Sequence, residues 1–293
     1  MVTVEQRRTA VTLAQEAAEA WDESMSERRA CRLVGVARAT HRYRGRRPAH
    51  AAVRARLRAL ATERPRWGYR RLAVLLAREG HTLNHKLVHR LYREEGLAVR
   101  RRRRKRPAAA RVPLAAPARP NERWAMDFVS DALADGRKLR CLTVVDAFTR
   151  ECPAIEVDTS LPGAHVVRVL DRLVAERGAP AAITVDNGPE LRGQALDAWA
   201  YRHEVALDFI APGKPVQNAY IESFNGKFRD ECLSQHWFLS LPDARFHVEQ
   251  FRRDYNQVRP HSALGNRTPA EFAREQAAAV PSPTPTRLSL RVA

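Results

Sequence analysis

The sequence is short of the features that would mark a secreted, membrane-spanning or thiolate-metal protein. Its four cysteines, Cys31, Cys141, Cys152 and Cys232, are scattered with no Cys-x-x-Cys pair. That argues against a disulfide framework and a cysteine-based zinc site, and predicts reduced, mostly buried thiols. No apolar run reaches the roughly 18 residues needed to span a bilayer, and the N-terminus lacks a signal-peptide core. No Gly-x-Gly-x-x-Gly follows the first strand-like run, so a dinucleotide-binding fold is not indicated. Acids are scarce in one region only. Residues 1 to 120 hold 30 Lys and Arg against 10 Asp and Glu, whereas residues 121 to 293 hold 21 against 23.

What is present is enough apolar material for a real core, 44% of 293 residues, and a formal charge of +18 that belongs to the N-terminal part. A polyanion is the natural partner of such a region, because each cation that neutralises a phosphate releases condensed counterions. A cytoplasmic, nucleoid-associated nucleic-acid binder without membrane contact is expected.

The chain reads as five regions. Residues 1–44 form an N-terminal helical segment in which "SERRACRLVGVARATHRY" has an N-cap serine, a break at Gly35 and a second short run, a partial helix-turn-helix pattern or an ordinary helical hairpin. Residues 45–99 give three amphipathic helices, with Gly80 where a C-cap belongs and Asn84 placed to cap the third. The third helix is expected to present Lys86, His89 and Arg90 to a DNA groove, away from Leu87 and Leu91. His81, His85 and His89 have a metal-capable spacing, but with no Cys or acidic ligand nearby they are expected to face solvent or DNA. Residues 100–120 are a basic arm and linker: Arg100, Arg101, Arg102, Arg103, Arg104, Lys105 and Arg106 would repel one another in a compact element and suit DNA phosphates. A targeting signal is the rival use of that run.

From Asn121 the texture changes. "RWAMDFV", "KLRCLTVVDAF", "CPAIEV", "AAITVDN" and "VALDFIA" read as strands, with helices starting near Ala164, Glu190, Gln217 and Leu241. Three strands followed by alternation predict an α/β layout with a mixed sheet over 121–275, and a disordered tail over 276–293.

Three acids stand in places that need a reason. Asp127 sits inside the first strand, where a carboxylate is costly unless paired, hydrogen-bonded or metal-bound. Asp186 ends the strand "AAITV", where a turn former is ordinary, but where open α/β sheets also bind ligands. Glu222 lies on a helix whose buried stripe is Ile221, Phe224, Phe228 and Cys232, beside a polar stripe of Asn218, Glu222, Asn225 and Arg229. Acids drawn together repel unless cations separate them, and two Mg²⁺ ions roughly 3.5–4 Å apart would both compensate the charge and clamp an in-line phosphoryl displacement.

"WAMDFVSD", "VVDAFTRE", "TVDNGPEL", "APGKPVQNAYIESFNGKFRDECL" and "DYNQVRPHSALGNRTPAEF" resemble the integrase-type core of bacterial insertion-sequence transposases, in the group often encoded by two overlapping reading frames. The match covers about residues 45 to 275. The family pattern is Asp, Asp, 35 residues and Glu, with a basic residue seven positions later; 35 residues separate Asp186 from Glu222, and Arg229 is that basic residue. The resemblance implies a ribonuclease-H-like fold preceded by an all-α helix-turn-helix region. In it Asp127, Asp186 and Glu222 are the catalytic acids and hold Mg²⁺, two ions, with Mn²⁺ able to substitute. Asp146 takes a structural role at a strand end, and Lys214, Gln217, Asn218, Asn225 and Arg229 touch the bound DNA end. Arg259 and His261 are open between DNA contact and packing.

The implied activity is cleavage of double-stranded DNA at the element's terminal repeats and joining to target DNA. A homo-multimer would pair two ends, and an upstream-frame helix-turn-helix protein is a possible partner. The chain departs from the related viral integrases in lacking an N-terminal His/His/Cys/Cys zinc domain. Two rival readings are a catalytically inactive DNA-binding regulator and a nuclease of the same fold.

Overall fold

The computed structural model describes residues 2–21, 23–43, 50–99, 117–186, 188, 191–210 and 218–279. The expected basic arm Arg100 to Arg106, and Lys214 and Gln217, lie outside these residues. The chain packs as two compact units, 1–52 and 53–293, so the three-helix region shares a unit with the sheet.

In the first unit, α1 (Val4–Glu19), α2 (Glu27–Val34) and α3 (Arg38–Arg42) enclose a small core of Val11, Ala30 and Cys31. Ser26 caps α2 by accepting from the Arg29 N–H at 3.3 Å, and Gly35 ends it in the left-handed region at φ 67°. Cap and break fall where the sequence pattern placed them.

In the second unit, α4 (Ala51–Glu63), α5 (Tyr69–Arg78) and α6 (His85–Glu94) bury Leu57, Leu60, Leu72, Leu76, Val88 and Leu91 against one another. Asn84 caps α6 through the Lys86 N–H at 2.8 Å, and Gly80 leaves α5 at φ 90°.

Five strands follow: β1 (Arg123–Ala132), β2 (Lys138–Asp146), β3 (Ala154–Asp158), β4 (Ala182–Val185) and β5 (Ala206–Phe209). Their spatial order is β3-β2-β1-β4-β5. β1, β2 and β3 pair antiparallel, while β1 with β4 and β4 with β5 pair parallel, which makes the expected mixed sheet. The parallel pairs require crossovers, supplied by α7 (Gly163–Arg177) and α8 (Gln194–Arg202). These cover one face with Val166, Leu170, Leu173, Leu196 and Trp199 against Trp124, Met126 and Val144.

The opposite face is covered by α9 (Ala219–Glu231) and α10 (Leu241–Gln257). Ile221, Phe224 and Phe228 of α9 meet Ala125 and Val129 of β1, and Val248, Phe251 and Tyr255 of α10 close the layer. A last helix, α11 (Pro269–Ala279), runs four residues past the expected boundary at 275. The four cysteines are free and buried, as their spacing predicted. Among the described residues no helix is long and apolar enough to cross a membrane.

Phe224 is the centre of the α9 packing, with its ring 4.8 Å from Tyr255 and 6.3 Å from Phe228. Phe224→Ala is expected to cost about 3–5 kcal/mol, the range for an aromatic deleted from a filled core. Denaturant unfolding of the full chain measures it, and a loss under about 1 kcal/mol would mean that α9 is not held by this stripe.

Candidate functional site

Strand alternation puts Ala125, Asp127 and Val129 on one face of β1, so Asp127 lies in an apolar row directly beneath α9. That placement would be prohibitive without partners, and Asp127 has them. The Phe128 N–H donates to its Oδ1 at 2.7 Å, and the Asn225 amide of α9 donates from Nδ2 to its Oδ2 at 2.8 Å. The Asn225 amide is oriented in turn by Thr143, whose hydroxyl lies 2.9 Å from Asn225 Oδ1 and 3.0 Å from the Asp127 carbonyl. Thr143 is the residue paired with Asp127 across β1 and β2. Strand register, helix position and carboxylate orientation are therefore one arrangement.

The second acid follows from the parallel pairing. Ala125 of β1 stands opposite Thr184 of β4 as the last pair of that ladder, Asp127 and Asp186 each follow two residues later, and the charge of Asp186 reaches the Asp127 carboxyl. Asp186 is half-buried at the end of β4, where its Oδ1 accepts from the Gly188 N–H at 3.1 Å. Burial holds the Asp127 carboxyl above the ordinary aspartate range, opposed by the Phe128 N–H and reinforced by the charge of Asp186; Asn225 and Arg229 pull it back down.

Glu222 is exposed on α9, one turn before Asn225. Among the described residues no three His, Cys, Asp or Glu side chains form a ready metal cluster. The charge of Asp186 reaches the Asp127 carboxyl, and Glu222 stands on the helix whose Asn225 holds Asp127. The donor set still fits Mg²⁺, which takes hard oxygens and few protein ligands per ion; each Asp127 oxygen accepts one bond and retains a free lone pair. The His81, His85 and His89 series forms no such cluster either.

The remaining expectations divide. Arg229 is exposed and available to a phosphate. Asn225 is buried at 6% exposure, with its Nδ2 donating to Asp127 and its Oδ1 beside the Thr143 hydroxyl. Asn218 is also buried, at 4% exposure, and its Oδ1 has no partner among the described residues. It lines a recess of about 400 Å³ with Tyr220, Arg123, Thr184, Asp208 and Phe209. Lys86 and His89 are exposed on α6, the His89 ring resting 4.5 Å from that of Tyr69. Arg90 is half-buried and pairs with Glu94 one turn on at 3.5 Å.

Asp146 is fully buried at the end of β2 and accepts from the Asn121, Phe148 and Thr149 N–H groups at 2.8, 2.8 and 2.9 Å, a structural role as expected. Arg259 and His261, open from sequence, are both packed inside. Thr143 went unnoticed, and only its place opposite Asp127 in a register could have marked it.

Comparison with known proteins agrees with this architecture. Family models described as "Integrase core domain" match residues 117–215 and 203–269, and one described as "HTH-like domain" matches 49–105. The chain is 53% identical over 263 residues to an uncharacterized 31.7 kDa protein of insertion element IS407 from Burkholderia multivorans, covering 89% of this chain and 95% of that one. It is 28% identical over 232 residues to the putative transposase InsK of insertion sequence IS150 from Escherichia coli K12, covering 72% of this chain and 79% of that one. Its fold is similar to a chain of the simian T-cell lymphotropic virus intasome solved in complex with PP2A regulatory subunit B56 gamma, at a TM-score of 0.51 and 15% identity over 81% of this chain and 80% of that chain.

The raised Asp127 carboxyl gives a stability prediction. Its folded value lies above the unfolded one, so ionisation opposes folding at pH above both, and the penalty fades as pH falls through the folded value. Asp127→Asn carries no such charge. In metal-free buffer, the melting temperature of the variant minus that of the wild type should be larger at pH 7 than at pH 4; a difference independent of pH would show that Asp127 is not strained by burial.

Proposed function

The chain belongs to the integrase-core family of insertion-element transposases, and on that basis we propose that it binds the terminal repeats of a mobile element, cuts the DNA there and joins the freed end to target DNA. The observation that carries this reading is that Asp127 and Asp186 follow the end of one parallel strand pair closely enough for their charges to interact, with Asp127 held by a side chain of the helix that bears Glu222. Asp127, Asp186 and Glu222 are the proposed catalytic and metal-holding residues.

The reaction has two related steps. In the first, a water oxygen attacks the phosphodiester at the element's end, the P–O3′ bond on its far side breaks, and a 3′-hydroxyl is freed. In the second, that hydroxyl attacks a target phosphodiester, forming one P–O bond as another breaks, so the number of phosphodiesters is unchanged and no nucleotide cofactor is consumed. Mg²⁺, or Mn²⁺ in its place, would supply Lewis-acid activation of the attacking oxygen and stabilise the leaving one when held by the three acids, two ions being the expected complement. Asn225 keeps the Asp127 carboxylate turned toward Asp186, and Thr143 keeps the amide from reversing. Arg229 would place its guanidinium on a phosphate of the DNA end, with Lys214 and Gln217 from the preceding segment.

Lys86 and His89 on α6 and the run Arg100 to Arg106 would supply the sequence-reading and phosphate contacts outside the core. Two DNA ends must be paired for joining, which calls for a homo-multimer; an upstream-frame helix-turn-helix protein is a further proposed partner. The setting is the nucleoid in the cytoplasm.

Incubation of the full chain with end-sequence duplex and Mg²⁺ should yield both cleaved and joined products. Asp127→Asn and Glu222→Gln should each lower the joining rate by about 10³-fold or more, the kinetic equivalent of several kcal/mol of lost charge stabilisation, while changing end-DNA affinity little. Equal rates in wild type and variants would sink the assignment, and hydrolysis without joining would make the protein a nuclease of the same fold.

A further inference from the structure

Glu231 is the last residue of α9, nine positions after Glu222, and it lies in a place that the reaction described above does not use. Its carboxylate is nearly buried and receives four donors from three parts of the chain. Arg259 of the C-terminal segment gives Nε to Oε2 at 2.8 Å and Nη2 to Oε1 at 2.5 Å. Trp67, in the turn between α4 and α5, gives Nε1 to Oε2 at 3.1 Å, and Arg71 of α5 gives Nη1 to Oε1 at 3.3 Å. Arg259 is 1% exposed and Trp67 3%, so this is an interior ion cluster rather than a surface pair.

The cluster sits in a wider joint. Val258 packs into the core of the three-helix region, Arg64 pairs with Asp254 at 2.5 Å, and Arg78 reaches the carbonyls of Val258 and Asn266 and the carboxylate of Glu271. Tyr255 links the joint to the site, with the Arg259 guanidinium 5.8 Å from its ring and the Phe224 ring of α9 4.8 Å away on edge. Burial works against a charged Glu231, but Arg259 and Arg71, with the Trp67 N–H, more than offset it and hold the carboxyl below the ordinary glutamate range.

A buried ion cluster is a poor way to gain stability compared with apolar side chains of similar volume. What it adds is a fixed geometry, because every donor must meet the carboxylate at once. Glu222 lies roughly 13 Å up a stiff helix from Glu231, at 1.5 Å rise per residue. A tilt of about 5° at the lower end moves the upper end by roughly 1 Å, a displacement that can cost about 10²-fold in rate.

We propose that Glu231 is a positioning residue: clamped by Trp67 and Arg71 of the three-helix region and by Arg259, it sets the direction of α9 and so ties the DNA-reading helices to the placement of Glu222. This rests on the transposase reading above.

The test uses the full chain and separates rate from binding. Glu231→Gln should lower the single-turnover joining rate at saturating end DNA and Mg²⁺ by about 10- to 100-fold, with end-DNA affinity within about 2-fold of wild type. Arg71→Met should act in the same direction, and the double variant should be no slower than Glu231→Gln alone, because the two act through one contact. Arg66→Ala, which removes the more exposed pair with Asp230 at 3.6 Å in the same joint, serves as the control and should leave the rate unchanged.

A rate unaffected by Glu231→Gln, a loss confined to affinity, or an equal loss in Arg66→Ala would overturn the proposal. Amide hydrogen exchange over residues 219–231 decides it without activity: Glu231→Gln and Arg71→Met should both speed exchange there while α7 and α8 keep their protection. Unchanged exchange, or faster exchange throughout the unit, would overturn it. If the wild-type chain joins no DNA, the functional reading fails, and exchange alone then decides whether Glu231 holds α9.

Discussion

The candidate site depends on a carboxylate placed where a carboxylate should not be. Asp127 points from β1 into the apolar layer beneath α9, and its charge is tolerable there because Phe128 N–H and the Asn225 amide both donate to it. That requirement ties the helix to the strand as firmly as the apolar stripe does. Ile221, Phe224 and Phe228 supply adhesion without direction, since apolar contacts tolerate sliding and rotation. The Asn225 to Asp127 bond, with Thr143 behind it, admits one position of α9 on the sheet. The hydrogen bonding of Asp127 and the placement of α9 are thus met by the same three side chains.

The sheet topology puts the second acid beside the first. An antiparallel run of three strands would carry Asp127 alone, and it is the crossover through α7 that lays β4 parallel to β1 and sets Asp186 near it. The polar interior continues at the other end of α9, where Glu231 is enclosed by arginines. The helix therefore has a hydrogen-bonded anchor at its middle, Asn225, flanked by the apolar stripe, and a second at its last residue, Glu231, an arrangement that favours a unique placement over maximal stability.

Much of this was legible in the sequence, and the parts that were not share a cause. The strands, the mixed layout and the polar border stripe of α9 follow from periodicity, which reports local geometry. The 35-residue gap between Asp186 and Glu222 carried the chemistry because family spacing encodes a three-dimensional relation that periodicity does not. The hydrogen bonds of Asn225 were not legible, because a helix reading shows which face a side chain occupies but not what lies opposite; its partners are 98 and 82 residues upstream. Arg259 stayed open for the same reason, with Glu231 28 residues before it and Trp67 far earlier in the chain. For both residues the partner was a contact the linear pattern did not display.

The central claim is that Asp127 and Asp186 are held together as a divalent-cation site by the strand register and by α9. Crystals of the full chain soaked in Mn²⁺ test it directly through anomalous scattering. The account predicts a peak between the Asp127 and Asp186 carboxylates that disappears in Asp127→Asn. No peak there at saturating Mn²⁺, or a peak that survives the substitution, would contradict it.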